Sequence, residues 1–134
     1  MKFFFDNNLP PRLAKAIDAL LEPPNEAVHL TGLFEPGIPD VDWIRRLADE
    51  RDWIIISGDV RITRNPHERR AWQQAKLTAF FLKKGWINQN LWVQAAKLIL
   101  WWPDIMEQAK RVEPGAGFLV PVNHTGRFEQ VPLT

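Results

Sequence analysis

The sequence predicts an α/β protein in which helices cover both faces of a mainly parallel sheet of four to five strands. Short runs rich in Phe, Ile, Val and Trp recur along the 134 residues, and they are largely apolar throughout, which is typical of strands covered on both faces. Segments with apolar residues at helical spacing separate these runs. Strand and helix therefore alternate, as in right-handed crossovers that build a three-layer α/β/α fold.

Four of the apolar runs are predicted strands, and a fifth run is weaker because Pro121 interrupts it. In a doubly wound sheet of order 2-1-3-4, which we assume, the first and third strands are neighbours. All parallel strands end at one edge of such a sheet, so a ligand is expected at that edge. The five runs cover residues 2–6, 27–31, 53–57, 78–82 and 117–122.

Three predicted helices lie between the first four strands. The first follows Pro10-Pro11, a pair suited to a first turn. The second follows Asp40, which is placed as an N-cap. The third opens at Pro66 and runs toward Gln74.

A fourth, longer helix begins at Asn88 or Asn90, and Pro103 either kinks it or begins a short successor. Its three tryptophans lie near helical spacing, which favours a place in the core. The alternative is that part of this stripe forms a protein interface, such as that of a homodimer. The three are Trp92, Trp101 and Trp102.

Composition excludes several classes of protein. Seventeen Lys and Arg against sixteen Asp and Glu exclude a histone-like basic tail and an acidic disordered tail. Without cysteine there is no disulfide framework or thiolate metal site, and we expect a cytoplasmic protein. No run approaches the ~20 apolar residues of a membrane span, so we expect no membrane association. Without repeats or Gly/Ser linkers, residues 1–134 are predicted to form a single domain.

Aspartates gather where the predicted strands end. Asp6 closes the first strand, Asp59 follows the third in Ser57-Gly58-Asp59, and Asp40 and Asp42 lie at the start of the second helix. We expect Asp6 and Asp59 to flank one crevice, with Asp40 reaching over from the side. Each aspartate alone can be explained by a turn or a helix N-terminus, so their expected convergence is what indicates function.

Carboxylates that lie close together repel each other and raise one another's pKa, and a bound divalent cation offsets this repulsion. Oxygen ligands without thiolate or paired histidines suit Mg²⁺ or Mn²⁺. Such sites carry out phosphoryl transfer or phosphodiester hydrolysis.

Basic residues follow Asp59 directly. We expect Arg61 and Arg64 to hold substrate phosphates on either side of the reacting one; the alternative is a solvated loop. Arg69 and Arg70 are expected to pair with Glu68 or to face water. Two lysines after the fourth strand, Lys83 and Lys84, either extend a basic track or are ordinary surface residues.

These residues resemble the PIN-domain nucleases, especially small PIN-like proteins related to VapC-type toxins. The resemblance spans roughly residues 1–82 and depends on the order of four short motifs. They are Phe5-Asp6-Asn7-Asn8-Leu9-Pro10, Asp40-Val41-Asp42-Trp43-Ile44, Ser57-Gly58-Asp59 and Asn65-Pro66-His67-Glu68-Arg69.

The resemblance implies that Asp6, Asp40 and Asp59 bind Mg²⁺ or Mn²⁺ for RNA cleavage, and that Asn8 and Ser57 support them by hydrogen bonds. It also implies a partner, since many such proteins are toxins held inactive by an antitoxin. Asp42 is kept as a supporting residue, because either it or Asp40 can be the ligand.

Two features depart from the family pattern. PIN nucleases often have Glu where this chain has Asp40, and many carry a further acid after the Thr/Ser-x-Asp element, where this chain has Arg61. The choice between one metal ion and two therefore stays open.

Two further classes of protein remain as alternatives. The abundance of Trp and the missing fourth acid favour a non-catalytic PIN-like module that binds RNA or a protein. A phosphoacceptor receiver domain also places acids after the first and third strands, with Asp59 as the nucleophile, but here Asp6 is followed by Asn7 rather than by a second acid.

Overall fold

A computed structural model describes residues 1–59 and 65–133. Within these residues the chain forms six β-strands, four α-helices and two short 3-10 helices, the latter at Leu30–Gly32 and Lys84–Asn88. In chain order the main elements are β1 (Lys2–Phe5), α1 (Pro11–Leu20), β2 (Glu26–His29), α2 (Asp40–Glu50), β3 (Trp53–Ser57), α3 (Pro66–Ala75), β4 (Thr78–Leu82), α4 (Leu91–Arg111), β5 (Gly117–Val120) and β6 (Glu129–Val131).

The strands form one sheet of order β2-β1-β3-β4-β5-β6. The first five are parallel, and β6 runs antiparallel to β5 at the edge. The predicted α/β class is confirmed, and the assumed order 2-1-3-4 agrees with the structure. β6 was not predicted, because this strand has three residues, two of them exposed, and gives no apolar run.

Helices cover both faces of the sheet, as predicted. Side chains alternate along β1, so Phe3 packs on Trp102 of α4, with 4.7 Å between ring centroids, while Phe4 packs on Trp43 of α2 at 4.9 Å. Helices α1 and α4 therefore bury one face, and α2 and α3 bury the other. The β1 strand, with its three Phe residues, is buried between the two layers.

Several predicted element boundaries differ from the structure, since β1 ends at Phe5 and β5 at Val120, before the predicted residues 6 and 122. β2 ends at His29, because its imidazole Nδ1 accepts the backbone N–H of Thr31 and starts a 3-10 helix. Asp40 is not the N-cap of α2: Pro39 takes that position and Asp40 is the first helical residue. α4 continues through Pro103 as one helix, so the alternative of a short successor helix is wrong. Pro103 is exposed, where water can bind the carbonyl that loses its partner.

No helix in residues 1–59 or 65–133 combines the length and the apolar character that crossing a membrane requires.

Candidate active site

The carboxyl ends of β1 and β3 bring the first and third predicted motifs side by side. Phe5 pairs with Ile56 in the parallel register, and the backbone N–H of Asp6 donates to the Ile56 carbonyl at 3.1 Å. Asp6 and Ser57 therefore leave the sheet as neighbours. Because α2 and α3 each follow a strand that ends at this edge, both helices begin near these two residues.

Asp6 is buried, with 1% of its surface exposed, and three hydrogen bonds hold its carboxyl group. Oδ1 accepts from the backbone N–H groups of Asn8 (3.1 Å) and Gly58 (3.2 Å), and Oδ2 accepts from the Ser57 hydroxyl. Burial raises the pKa of Asp6 to about 6, and the nearby charge of Asp40 adds to the rise, although the hydrogen bonds oppose it.

The turn after Asp6 is held from two sides. The His29 ring accepts the N–H of Thr31 at Nδ1, so its proton is on Nε2, which donates to the Leu9 carbonyl at 2.7 Å. A Cβ at Gly58 would come within 3.0 Å of Leu9 Cδ2 and 3.1 Å of Asn8 Cβ. Glycine therefore allows this close approach without a shift of its neighbours. His29 lies in the interior with both ring nitrogens bonded, as expected from its place in an apolar strand.

Of the two aspartates at the start of α2, Asp40 is the one near Asp6. Its Oδ1 accepts from Nε1 of Trp43 at 2.8 Å, and the Trp43 ring is completely buried, so the core sets the orientation of this carboxyl group. Asp42, two positions beyond Asp40 in the same turn, is exposed. The sequence could not choose between them, because the choice depends on how α2 is rotated on the sheet.

Glu68 is the acid that the sequence analysis missed. It lies in the first turn of α3, near the carboxyl group of Asp40. Its pKa is raised by burial, by the neighbouring carboxyl group of Asp40, and by the charge of Asp59.

A further acid therefore lies near Asp40, nine positions beyond Asp59, while the departure at Arg61 remains. Arg69 and Arg70 are exposed. Glu68 could have been suspected from its place three residues after the cap of a helix that begins at the strand edge, since Asn65 Oδ1 accepts the N–H of His67 at 2.9 Å and of Glu68 at 3.3 Å.

The supporting residues act in different ways. Asn8 contributes its backbone N–H, and its side chain is exposed. The buried Ser57 hydroxyl donates to Asp6 and accepts the backbone N–H of Asp59 at 3.1 Å, so it links two of the acids. Arg61 and Arg64 lie outside the described residues.

The lysines that follow β4 also differ from each other. Lys83 forms an ion pair with Glu129 at 2.6 Å, which neutralises its charge locally. Lys84 is exposed. Of these two lysines, Lys84 is therefore the one that offers its full positive charge to a ligand.

The donor set suits a divalent cation in its chemistry, since every candidate ligand is a carboxylate oxygen. Within residues 1–59 and 65–133, however, no three His, Asp or Glu side chains are arranged to hold a metal ion as they stand.

Comparison with protein families matches residues 1–84 to the family described as PIN like domain. The match covers more than half of the chain and includes β1 to β4 and all four acids. Neither the curated proteins nor the solved structures give a match. PIN-like domains are commonly nucleases, and the resemblance to VapC-type toxins in particular stays a prediction. The chain belongs to the PIN-like domain family.

Proposed function

We propose that this PIN-like domain is an endoribonuclease that hydrolyses RNA phosphodiesters with Mg²⁺ or Mn²⁺. The observation that carries the proposal is the electrostatic coupling of four acids from β1, α2, α3 and the end of β3. Burial raises the pKa of both Asp6 and Glu68, the charge of Asp40 adds to both rises, and the charge of Asp59 adds to that of Glu68. Clustered acidic side chains with raised pKa values are typical of functional sites.

Each acid has a distinct part in the proposed site. Three hydrogen-bond donors fix the position of the Asp6 carboxyl group. The indole of Trp43 binds Oδ1 of Asp40 and so orients that carboxyl group. Asp59 and Glu68 complete the proposed ligand set.

A bound Mg²⁺ or Mn²⁺ supplies a water of lowered pKa and neutralises charge on the phosphate. Arg61 and Arg64 remain proposed contacts to the flanking phosphates.

RNA cleavage by purified variants tests the proposal. Asp6→Asn should abolish Mn²⁺-dependent cleavage, and Glu68→Gln should reduce it by about 10- to 100-fold. Asp49→Asn removes one exposed carboxylate from the far end of α2 and should cleave like the wild type. Cleavage of equal rate by the wild type and Asp6→Asn, or cleavage that persists in excess EDTA, would contradict the proposal.

Metal binding should also depend on pH. Because the pKa of Asp6 is raised to about 6 and that of Glu68 is also raised, protons compete with the cation in acid. Calorimetric titration with Mn²⁺ should therefore show tighter binding at pH 8 than at pH 6, with protons released to the buffer at pH 6. Equal affinity at the two pH values would mean that these acids are not the ligands.

One observation favours a second candidate, a non-catalytic PIN-like module that binds RNA or protein. No three ligands among the described residues are arranged around one ion position. If this candidate is correct, Mn²⁺ will not bind even in the presence of an uncleavable RNA.

On the resemblance to VapC-related proteins we extend the proposal to a toxin restrained by an antitoxin protein. Expression of the wild type should then arrest bacterial growth, and expression of Asp6→Asn should not. Growth arrest by both proteins would exclude cleavage as the cause.

A further inference from the structure

Trp92 differs from every other tryptophan of the chain. The other six are between 0 and 6% exposed, whereas 85% of the Trp92 surface is exposed. The expected apolar stripe on α4 is therefore divided: Trp101 and Trp102 are in the core, and Trp92 is outside it. A large aromatic side chain left in water is typical of a binding surface.

The fold places Trp92 at the same edge of the sheet as the acids. β4 is parallel to β3, with Phe81 paired to Ser57, so β4 also ends at this edge. α4 begins from that end, and Trp92 is its second residue. The acids lie on the side of α2 and α3, and α4 covers the opposite face. The path from the acids to Trp92 therefore crosses the end of β4, where Lys84 is exposed.

The segment of the chain that contains Trp92 has charges of one sign. Residues 83–102 contain three lysines and no acidic residue, in a chain whose formal net charge is only +1. Lys83 is paired with Glu129, while Lys97 donates to the neutral Asn123 at 3.1 Å and keeps its charge. A positive surface with an exposed indole suits a polyanion that carries flat rings. A second copy of the same face would bring like charges together.

We propose that Trp92 is a stacking site for an unpaired base of single-stranded RNA or DNA. The strand runs from the acids across the end of β4, where Lys84 contacts its backbone, to the start of α4. Indole stacks on any base, so the site selects single strands without selecting sequence. Bases inside a duplex are already stacked and cannot use it. The direction of the strand depends on the proposed nuclease function, but base stacking does not.

Fluorescence with an uncleavable probe tests the stacking site. The probe is a single-stranded 2′-O-methyl oligoribonucleotide of about eight nucleotides, used in EDTA. Iodide quenches the fluorescence of tryptophans that it can reach. Because the other six tryptophans are buried, the fluorescence that iodide quenches comes from Trp92. The probe should quench that emission and protect it from iodide, and a duplex of the same sequence should not. Trp92→Leu, which keeps an apolar side chain without a flat ring, should weaken binding by about tenfold, and Trp92→Phe should restore most of it.

Leu100→Ala is the matched control, since Leu100 is 59% exposed two turns further along α4. It should bind the probe like the wild type. The stacking site is excluded if Trp92→Leu binds the single strand as tightly as the wild type, or if the duplex protects Trp92 equally well. It is also excluded if Trp92→Leu and Leu100→Ala both turn a dimer into a monomer with probe binding unchanged, because this face would then be an interface between copies.

The two proposals fail in different ways. The probe cannot be cleaved and no metal is present, so loss of RNA cleavage with intact Trp92-dependent binding contradicts only the nuclease function. RNA cleavage by the wild type, together with probe binding that does not depend on Trp92, contradicts only the stacking site.

Discussion

Asp6 is buried in the fold although its charge resists burial. Its pKa rises from an ordinary 3.8 to about 6, because loss of water outweighs the three hydrogen bonds that stabilise the anion. A group with a raised folded pKa stabilises the protein below its unfolded pKa, and that stability is lost as the pH rises through about 6. Ionised Asp6 thus costs roughly 3 kcal/mol of folding free energy at neutral pH.

Asp6→Asn should therefore stabilise the protein, and only above the folded pKa. Urea unfolding at pH 8 should give the variant a larger free energy of unfolding than the wild type, by about 1–3 kcal/mol, and the difference should vanish near pH 4. Asp49→Asn, which changes an exposed carboxylate, should show no comparable gain. A gain for Asp6→Asn that is the same at pH 4 and pH 8 would rule out ionisation as its cause.

Trp43 positions Asp40 through one N–H group. Trp43→Phe keeps an aromatic ring in the core but removes the bond from Nε1 to Asp40 Oδ1, so we expect Mn²⁺ affinity to fall by about tenfold. Trp72→Phe is a matched control: Trp72 is buried against Trp43, but its Nε1 has no hydrogen-bond partner among the described residues. The Trp72→Phe variant should be less stable than the wild type but should bind Mn²⁺ with nearly the same affinity. Calorimetry and thermal unfolding of both variants separate these effects, and equal loss of affinity would contradict the positioning role.

At the scale of elements, the site is assembled by two helix N-termini. α2 and α3 each start at the strand edge and each carry an acid of the cluster in the first turn. The positive end of a helix favours such acids, and the cap sets the direction in which the first turn points. The position of Glu68 therefore depends on Asn65, whose side chain bonds its backbone N–H.

Loss of this cap should affect metal binding as well as stability. Asn65→Ala should cost about 1 kcal/mol of unfolding free energy and should also weaken Mn²⁺ binding, because the first turn that holds Glu68 frays. Asn90→Ala removes the equivalent cap of α4, where Asn90 Oδ1 accepts the N–H of Val93 at 3.0 Å, with no acid in the first turn. It should cost similar stability and leave Mn²⁺ affinity unchanged. If both variants bind Mn²⁺ like the wild type, Glu68 is not a ligand.

At the scale of the whole molecule, the fold extends beyond the family match. The match ends at residue 84, yet β5 pairs with β4, and Trp86 Nε1 donates to the Val120 carbonyl at 3.0 Å. On the same face Trp102 packs on Phe3 and Phe5 of β1. Residues from β5 and α4 therefore complete the core that holds the acids in place.

A fragment of residues 1–84 should accordingly fail to fold. The fragment lacks α4, so Phe3 and Phe5 would be exposed to water. It also lacks β5, so the apolar strand β4 would become an unpaired edge of the sheet. Circular dichroism and urea unfolding should show no cooperative transition for this fragment, in contrast to residues 1–134. A cooperative transition would mean that the family region is a domain by itself and that the single-domain prediction is wrong.

Local patterns in the sequence were enough to predict the layers, the first four strands and the edge of the sheet at which β1 and β3 end. Apolar runs define buried strands, and the handedness of crossovers then restricts the topology, so neither needs knowledge of distant contacts. β6 escaped prediction because its pairing with β5, rather than any apolar run, makes it a strand.

Tertiary structure alone decided which side chains meet. Glu68 contacts Asp40, Asp42 is turned to solvent and Trp92 is left outside the core because of how α2, α3 and α4 are rotated on the sheet. Helical periodicity shows which side of a single helix is apolar. The rotation of each helix on the sheet, and so which side chains contact each other, is set by packing between elements that are far apart in the chain.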